Sequence, residues 1–146
     1  MKNYEIIDMF NILPRLSNLK GSDFWITISK VEDQLKSQLK HINKAIETID
    51  GFKKYEEERK ELCKTLCLKD GKNNPIIKNN EYLFSSENKT KFLDEMVPLS
   101  DKYSDALKEK EEILNKECDV NFEKLKVEFI PKDVDGEQFS FIKKII

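Results

Sequence analysis

Arginine is almost absent from this chain. Arg15 and Arg59 are the only two among 26 basic residues, which face 28 acidic ones. Glycine and proline number four each in 146 residues, beside three cysteines, one tryptophan and one histidine. Each shortage excludes something. A formal charge of −2, with lysines interleaved among acids, gives no basic footprint and argues against nucleic acid as a ligand. Cys63, Cys67 and Cys118 are an odd set that cannot complete a disulfide framework. A lone His41 leaves any Ser-His-Asp or Cys-His site dependent on one imidazole, and its place in a helical pattern reads as surface. No glycine-rich phosphate loop occurs. No apolar run approaches the ~18 residues of a membrane span, and Met-Lys-Asn-Tyr-Glu opens no signal-peptide core.

Two partial motifs fail on spacing. Cys63 and Cys67 lie four apart on one helix face, but zinc would want four Cys or His ligands, so two small core residues are the simpler reading. Asp133-Val134-Asp135-Gly136-Glu137 echoes a calcium loop with its glycine out of register, and reads as a turn. No catalytic residue, cofactor or metal is assigned, and a non-enzymatic protein is expected.

What the chain has is periodicity. Ile6, Met9, Phe10 and Leu13 predict a short helix ending before Pro14, with a link to Gly21. Ser22 is a candidate N-cap. From there Phe24, Ile28, Val31, Leu35, Leu39, Ile42, Ile46 and Ile49 recur at spacings of three or four, continuing through Phe52, Tyr55, Leu62 and Leu66. This predicts one long helix over 22–70, ~65–70 Å at about 1.5 Å per residue, with Gly51 as the point where it bends or breaks if anywhere. Partner helices, from this chain or a second copy, are then expected to cover its stripe as in a coiled coil. Asn79-Asn80 between Pro75–Lys78 and Glu81–Phe84 predicts a β-hairpin over 75–84. Ser85 or Ser86 caps a returning pair of helices over 86–118, ended or kinked by Pro98 and restarted at Ser100-Asp101. Leu125, Val127 and Phe129 alternate with charges, predicting a half-buried strand in 122–130. Phe139, Phe141, Ile142, Ile145 and Ile146 predict an apolar helix that docks on the body or on a partner. The fold class expected is mainly α with a small β component (α+β), in a single domain over 1–146.

The order of these signals carries a resemblance. Ile12-Leu13, Leu16 and Leu19-Lys20-Gly21 precede the long helix; Tyr55-Glu56-Glu57-Glu58-Arg59 and Leu62 lead to Lys69-Asp70-Gly71, Pro75-Ile76, Asn80 and Tyr82; Asn88, Phe92, Glu95 and Leu99 follow. The layout resembles a loose group of small tailed-phage and prophage proteins of unknown function, which supplies no catalytic residues to carry over. The helix-hairpin-helix order also looks like a prefoldin subunit, but Pro98 and the extra C-terminal strand depart from that pattern. The phage resemblance implies a non-enzymatic protein of viral or mobile-element origin, and reduced thiols without an export signal point to the host-cell cytoplasm, not secretion. It would bind a host or viral protein through its helical surface, with inhibition of a host defence protein as one form. The alternatives are a self-associating virion or assembly component and a nucleic-acid-binding accessory protein. Trp25 reads as core before it reads as an anchor. Trp25, Tyr55, Arg59, Phe139, Phe141 and Ile145 are the candidate interaction residues, chosen because large aromatics, arginine and a free apolar end dominate protein interfaces.

Overall fold

The computed structural model describes residues 1–146, which form two compact units. One is discontinuous, Met1–Ala45 with Glu112–Ile146; the other is the stretch Ile46–Glu111. Six α-helices and one two-stranded antiparallel hairpin make a mostly helical α+β fold, as the periodicity predicts.

The discontinuous unit opens with α1, Asn3–Ile12, which buries Ile6 and Met9. Pro14 ends the α-helix but fits the first turn of the 3-10 segment Leu13–Leu16, where a missing N–H costs nothing. Gly21, at φ +130°, then reverses the chain into α2, Ser22–Glu47. Its carbonyl accepts the first helical bond, from Trp25 N–H at 3.0 Å, so Gly21 and not Ser22 holds the cap position. Phe24, Ile28, Val31 and Leu35 on α2 are fully buried. Gln34 ties the helix to the later segment twice: its amide donates to Asn121 C=O at 3.0 Å, and its oxygen accepts from Glu123 N–H at 3.0 Å.

The strand expected in 122–130 does not form. Phe122 and Leu125 are buried, three apart, while Val127 is 69% exposed, and Val127–Phe129 is a 3-10 turn. Alternation needs a neighbouring strand to give it a ladder. Here the one main-chain bond to another segment is Leu125 N–H to Ile145 C=O at 2.7 Å. The last helix, α6, spans Gly136–Ile142, earlier than its apolar residues alone suggest. Asp135 caps it reciprocally with Gln138, by bonds of 2.8 and 3.0 Å, so the calcium-like turn is a capping box. Phe141, Ile142 and Ile145 are fully buried: the apolar end docks within its own unit, against α1.

The continuous unit begins in the last turn of α2, just before a break in the predicted long helix. Gly51 sits at φ +80° between Glu47, where α2 ends, and α3, Phe52–Leu66. An L-residue there is strained, and its Cβ would also meet the Tyr103 ring at 3.5 Å. The coiled-coil expectation is therefore corrected: no helix carries an apolar span of that length, and the α2 stripe is covered within the chain. After α3 comes the hairpin, β1 Ile77–Lys78 with β2 Glu81–Tyr82, paired Ile77 with Tyr82 and Lys78 with Glu81. Asn79 and Asn80 turn it at φ +53° and +62°. Both values lie in the left-handed region that a two-residue primed turn requires. Helix α4, Ser86–Lys102, starts at the Ser85 cap, whose hydroxyl accepts from Asn88 N–H at 3.2 Å. Pro98 does not end it; the chain stays helical for another turn and breaks at Tyr103, before α5, Ser104–Asn115. Helices α3 and α4 pack on each other, with Tyr55 against Phe52 and Tyr103 at ring centroids of 6.0 and 5.9 Å.

Candidate interaction surface

Successive residues of a helix point about 100° apart, so the run Phe24-Trp25-Ile26 cannot all face one core. Phe24 takes the buried direction, leaving Trp25 at 36% and Ile26 at 58% exposure. The Trp25 ring meets Phe24 edge-on, centroids 5.6 Å apart, and its Nε1–H donates to Leu19 C=O at 2.8 Å. That bond folds the indole back over the loop before α2 and removes its polar requirement. What Trp25 offers solvent is part of an indole held in place by that bond.

The same loop forms one wall of a cleft of about 660 Å³. Asn18 to Phe24 line one side, and Glu128 to Asp133, with Phe129, Ile130 and Pro131, the other. The rim carries Lys20, Asp23, Glu128, Lys132 and Asp133, charges of both signs. Its far wall is shaped by the 3-10 turn that replaced the expected strand, closed by Ile130 N–H to Val127 C=O at 3.2 Å.

A second pocket of about 360 Å³ lies between α1 and α6, floored by Met9 and Phe141. Three of its four lining charges, Arg15, Glu137 and Lys144, are paired within the chain. Arg15 pairs with Glu137, and Lys144 with Glu5 at 3.1 Å. The Lys2 backbone N–H, and then Lys144, hold the Glu5 carboxyl below the usual carboxylate range. Beneath, Gln138 is 2% exposed, and its amide nitrogen donates to Arg15 C=O and Asn18 Oδ1, both at 2.7 Å.

In the continuous unit a shallow groove of about 450 Å³ is lined by Glu57, Glu58, Glu61, Leu62 and Thr65 of α3 and Glu95 of α4. Glu58 is bound by Lys102 at 3.0 Å, and Glu61 by Lys64 at 3.4 Å. Arg59 forks onto Glu56 through Nε at 3.1 Å and Nη2 at 2.9 Å. The guanidinium bond in turn lowers the Glu56 carboxyl's pKa.

The candidate residues therefore separate. Trp25 and Phe139, the latter 50% exposed, stand on the surface of the discontinuous unit. Phe141 and Ile145 are core of that unit, and Tyr55 is core of the other, so none of the three offers a side chain to a partner. Arg59 is half-buried and occupied by Glu56. Cys63 and Cys67 are buried, with burial pushing the Cys63 thiol up, and His41 is exposed. No three His, Cys, Asp or Glu side chains converge as a metal site, and no helix is long and apolar enough to cross a membrane. Ile26 and Gln138 were missed by sequence reasoning. The first was legible as the third bulky residue in a row, the second as the N3 partner of Asp135.

No protein-family model matches the chain, and no curated protein or solved structure matches it either. The viral, phage and anti-defence expectations gain no support from any comparison and are dropped.

Proposed function

We propose that this chain is a non-enzymatic protein-binding module that engages a polypeptide partner through exposed Trp25 and Ile26 and the cleft whose wall is the loop to which Trp25 is bonded. One observation carries the reading: the single tryptophan is held by its Leu19 bond while it stays 36% exposed, next in sequence to exposed Ile26. A rigid aromatic loses little entropy on binding, and its hydrogen-bonding group needs no partner in the complex. The mixed-sign rim suits a peptide's alternating polar groups better than a polyanion. The lone exposed His41 and the buried cysteine pair, its Cys63 thiol raised, favour binding over covalent catalysis.

The test is to select ligands from a displayed random-peptide library and titrate them against the protein by intrinsic tryptophan fluorescence and amide chemical shifts. Selected peptides should perturb Lys20 to Asp23 and Glu128 to Asp133. Trp25→Ala should weaken them at least about tenfold, roughly 1.4 kcal/mol, and Trp25→Phe by less. Peptides that bind Trp25→Ala as tightly as the parent refute the assignment.

A further inference from the structure

Three of the four glycines follow an aspartate: Asp50-Gly51, Asp70-Gly71 and Asp135-Gly136. Such pairs can cyclise, because no Cβ on the second residue hinders its amide nitrogen from reaching the aspartate Cγ. Sequence makes the three equal; structure does not. Asp70 Oδ1 accepts from Lys72 N–H at 2.9 Å and Asn74 N–H at 3.0 Å, which holds the carboxyl over the turn. Asp135 Oδ1 accepts from Gln138 N–H at 2.8 Å in the capping box. Asp50 is exposed and its carboxylate accepts no hydrogen bond. The local main-chain bonds, Ile49 N–H to Ile46 C=O at 3.1 Å and Phe52 N–H to Ile49 C=O at 3.2 Å, pass over the Gly51 amide and leave it unbonded. The glycine's φ of +80° keeps this joint out of either helix.

We propose that Asp50-Gly51 is a site of spontaneous covalent modification, converting Asp50 to isoaspartate in the folded protein. The Gly51 nitrogen attacks Cγ of the protonated Asp50 carboxyl and the new N–C bond closes a five-membered succinimide. One carboxyl oxygen departs as water, carrying the carboxyl proton and the amide proton. Water then adds back at either ring carbonyl. Opening at the Cα-side carbonyl leaves the main chain running through the side-chain carbon. No oxidant is needed, and the net composition is unchanged. The product has one extra main-chain methylene just before α3, and a free α-carboxylate. That carboxylate is the group methylated by S-adenosylmethionine-dependent isoaspartyl methyltransferases, the class of enzyme that would act here. The added methylene falls inside the ring closed by the 3.2 Å bond from Phe52 N–H to Ile49 C=O, and so lengthens that turn.

The experiment ages the full chain at neutral pH and physiological temperature. Isoaspartate is then quantified at all three sites, by enzymatic methyl labelling and by peptide mapping with electron-transfer fragmentation. In the folded protein Asp50 should convert several-fold faster than Asp70 and Asp135; in urea the three rates should converge. Asp50→Glu, whose larger ring closes poorly, should abolish signal at that site and leave the other two unchanged. Equal or faster conversion at Asp70 or Asp135 in the folded state overturns the proposal, as does no conversion at Asp50. The comparison among sites in the parent chain decides the matter even if the variant fails to fold.

Discussion

Gln138 is the one buried polar side chain in the core, and it uses three of its bonding positions: two donations to the 15–18 segment and one acceptance from Asp135 N–H. Gln138→Ala strands the Arg15 carbonyl and removes half the α6 capping box. We expect a loss of about 2–3 kcal/mol, read as a lower urea midpoint. Gln138→Glu keeps the shape but turns the nitrogen donor into an acceptor facing two acceptors, and should lose at least as much at neutral pH. Glu5 and Glu56 set an acid limit. Each carboxyl's pKa is depressed in the folded chain, Glu5 by the Lys2 amide and then Lys144, Glu56 by Arg59. Their stabilisation is full above the unfolded value of about 4.3 and is lost as pH falls through the folded values. Urea midpoints should therefore drop below about pH 4, and the double variant Glu5→Gln/Glu56→Gln should show a shallower drop. An unchanged slope would mean other carboxylates set the limit. Of these features, the Asp135–Gln138 box was legible in the spacing. The reach of Gln138 to Arg15 was not, since it joins residues far apart in sequence.

Proline and asparagine show how much an element owes to context. Pro98 lacks an N–H and its ring crowds the carbonyl four residues earlier, so local chemistry predicts a stop. Yet α4 runs on to Lys102, because its packing against α3 offsets that local cost. Pro98 is exposed, so Pro98→Ala should restore a helical bond without losing core contact. The gain should be about 1–2 kcal/mol after the greater freedom of the unfolded chain is subtracted, seen as a higher melting temperature. In the hairpin the turn chemistry was read correctly, because a two-residue turn is a purely local constraint. Asn80 stands at φ +62°, where glycine carries no Cβ penalty. Asn80→Gly should stabilise by a few tenths of a kcal/mol; Asn80→Val should destabilise and broaden the hairpin's amide signals. The failed strand at 122–130 teaches the converse. Alternation is a local pattern, but a strand is a pairwise structure, and no neighbour came to pair with it.

At the scale of the whole molecule, the helical stripes located most of the core, and Gly51 split the longest stripe into two helices. The long-helix expectation marked Gly51, a weak point of about 1 kcal/mol, as the place of any bend or break and left open which it was. Periodicity cannot tell a helix that continues from two helices whose phases happen to match. The surface was less legible. Phe139 and Phe141 are two apart on one short helix, and only packing against α1 decides which is buried. Ile145 is fully buried in the discontinuous unit. Ile145→Ala should cost about 2–5 kcal/mol and should speed amide exchange in α1 and α6.

The discontinuous unit joins residues that leave the ribosome far apart in time. Arg15 waits for Glu137 and Gln138, and the Leu125 amide waits for Ile145. The whole of Ile46–Glu111 is made before the second portion of the first unit exists. A growing chain can therefore complete the middle unit while α1 and α2 still display Ile6, Met9, Phe24 and Ile28 to their surroundings. Synthesis order thus makes the segment Met1–Ala45 wait longest for its packing partners, and its nascent form the one most in need of protection from aggregation.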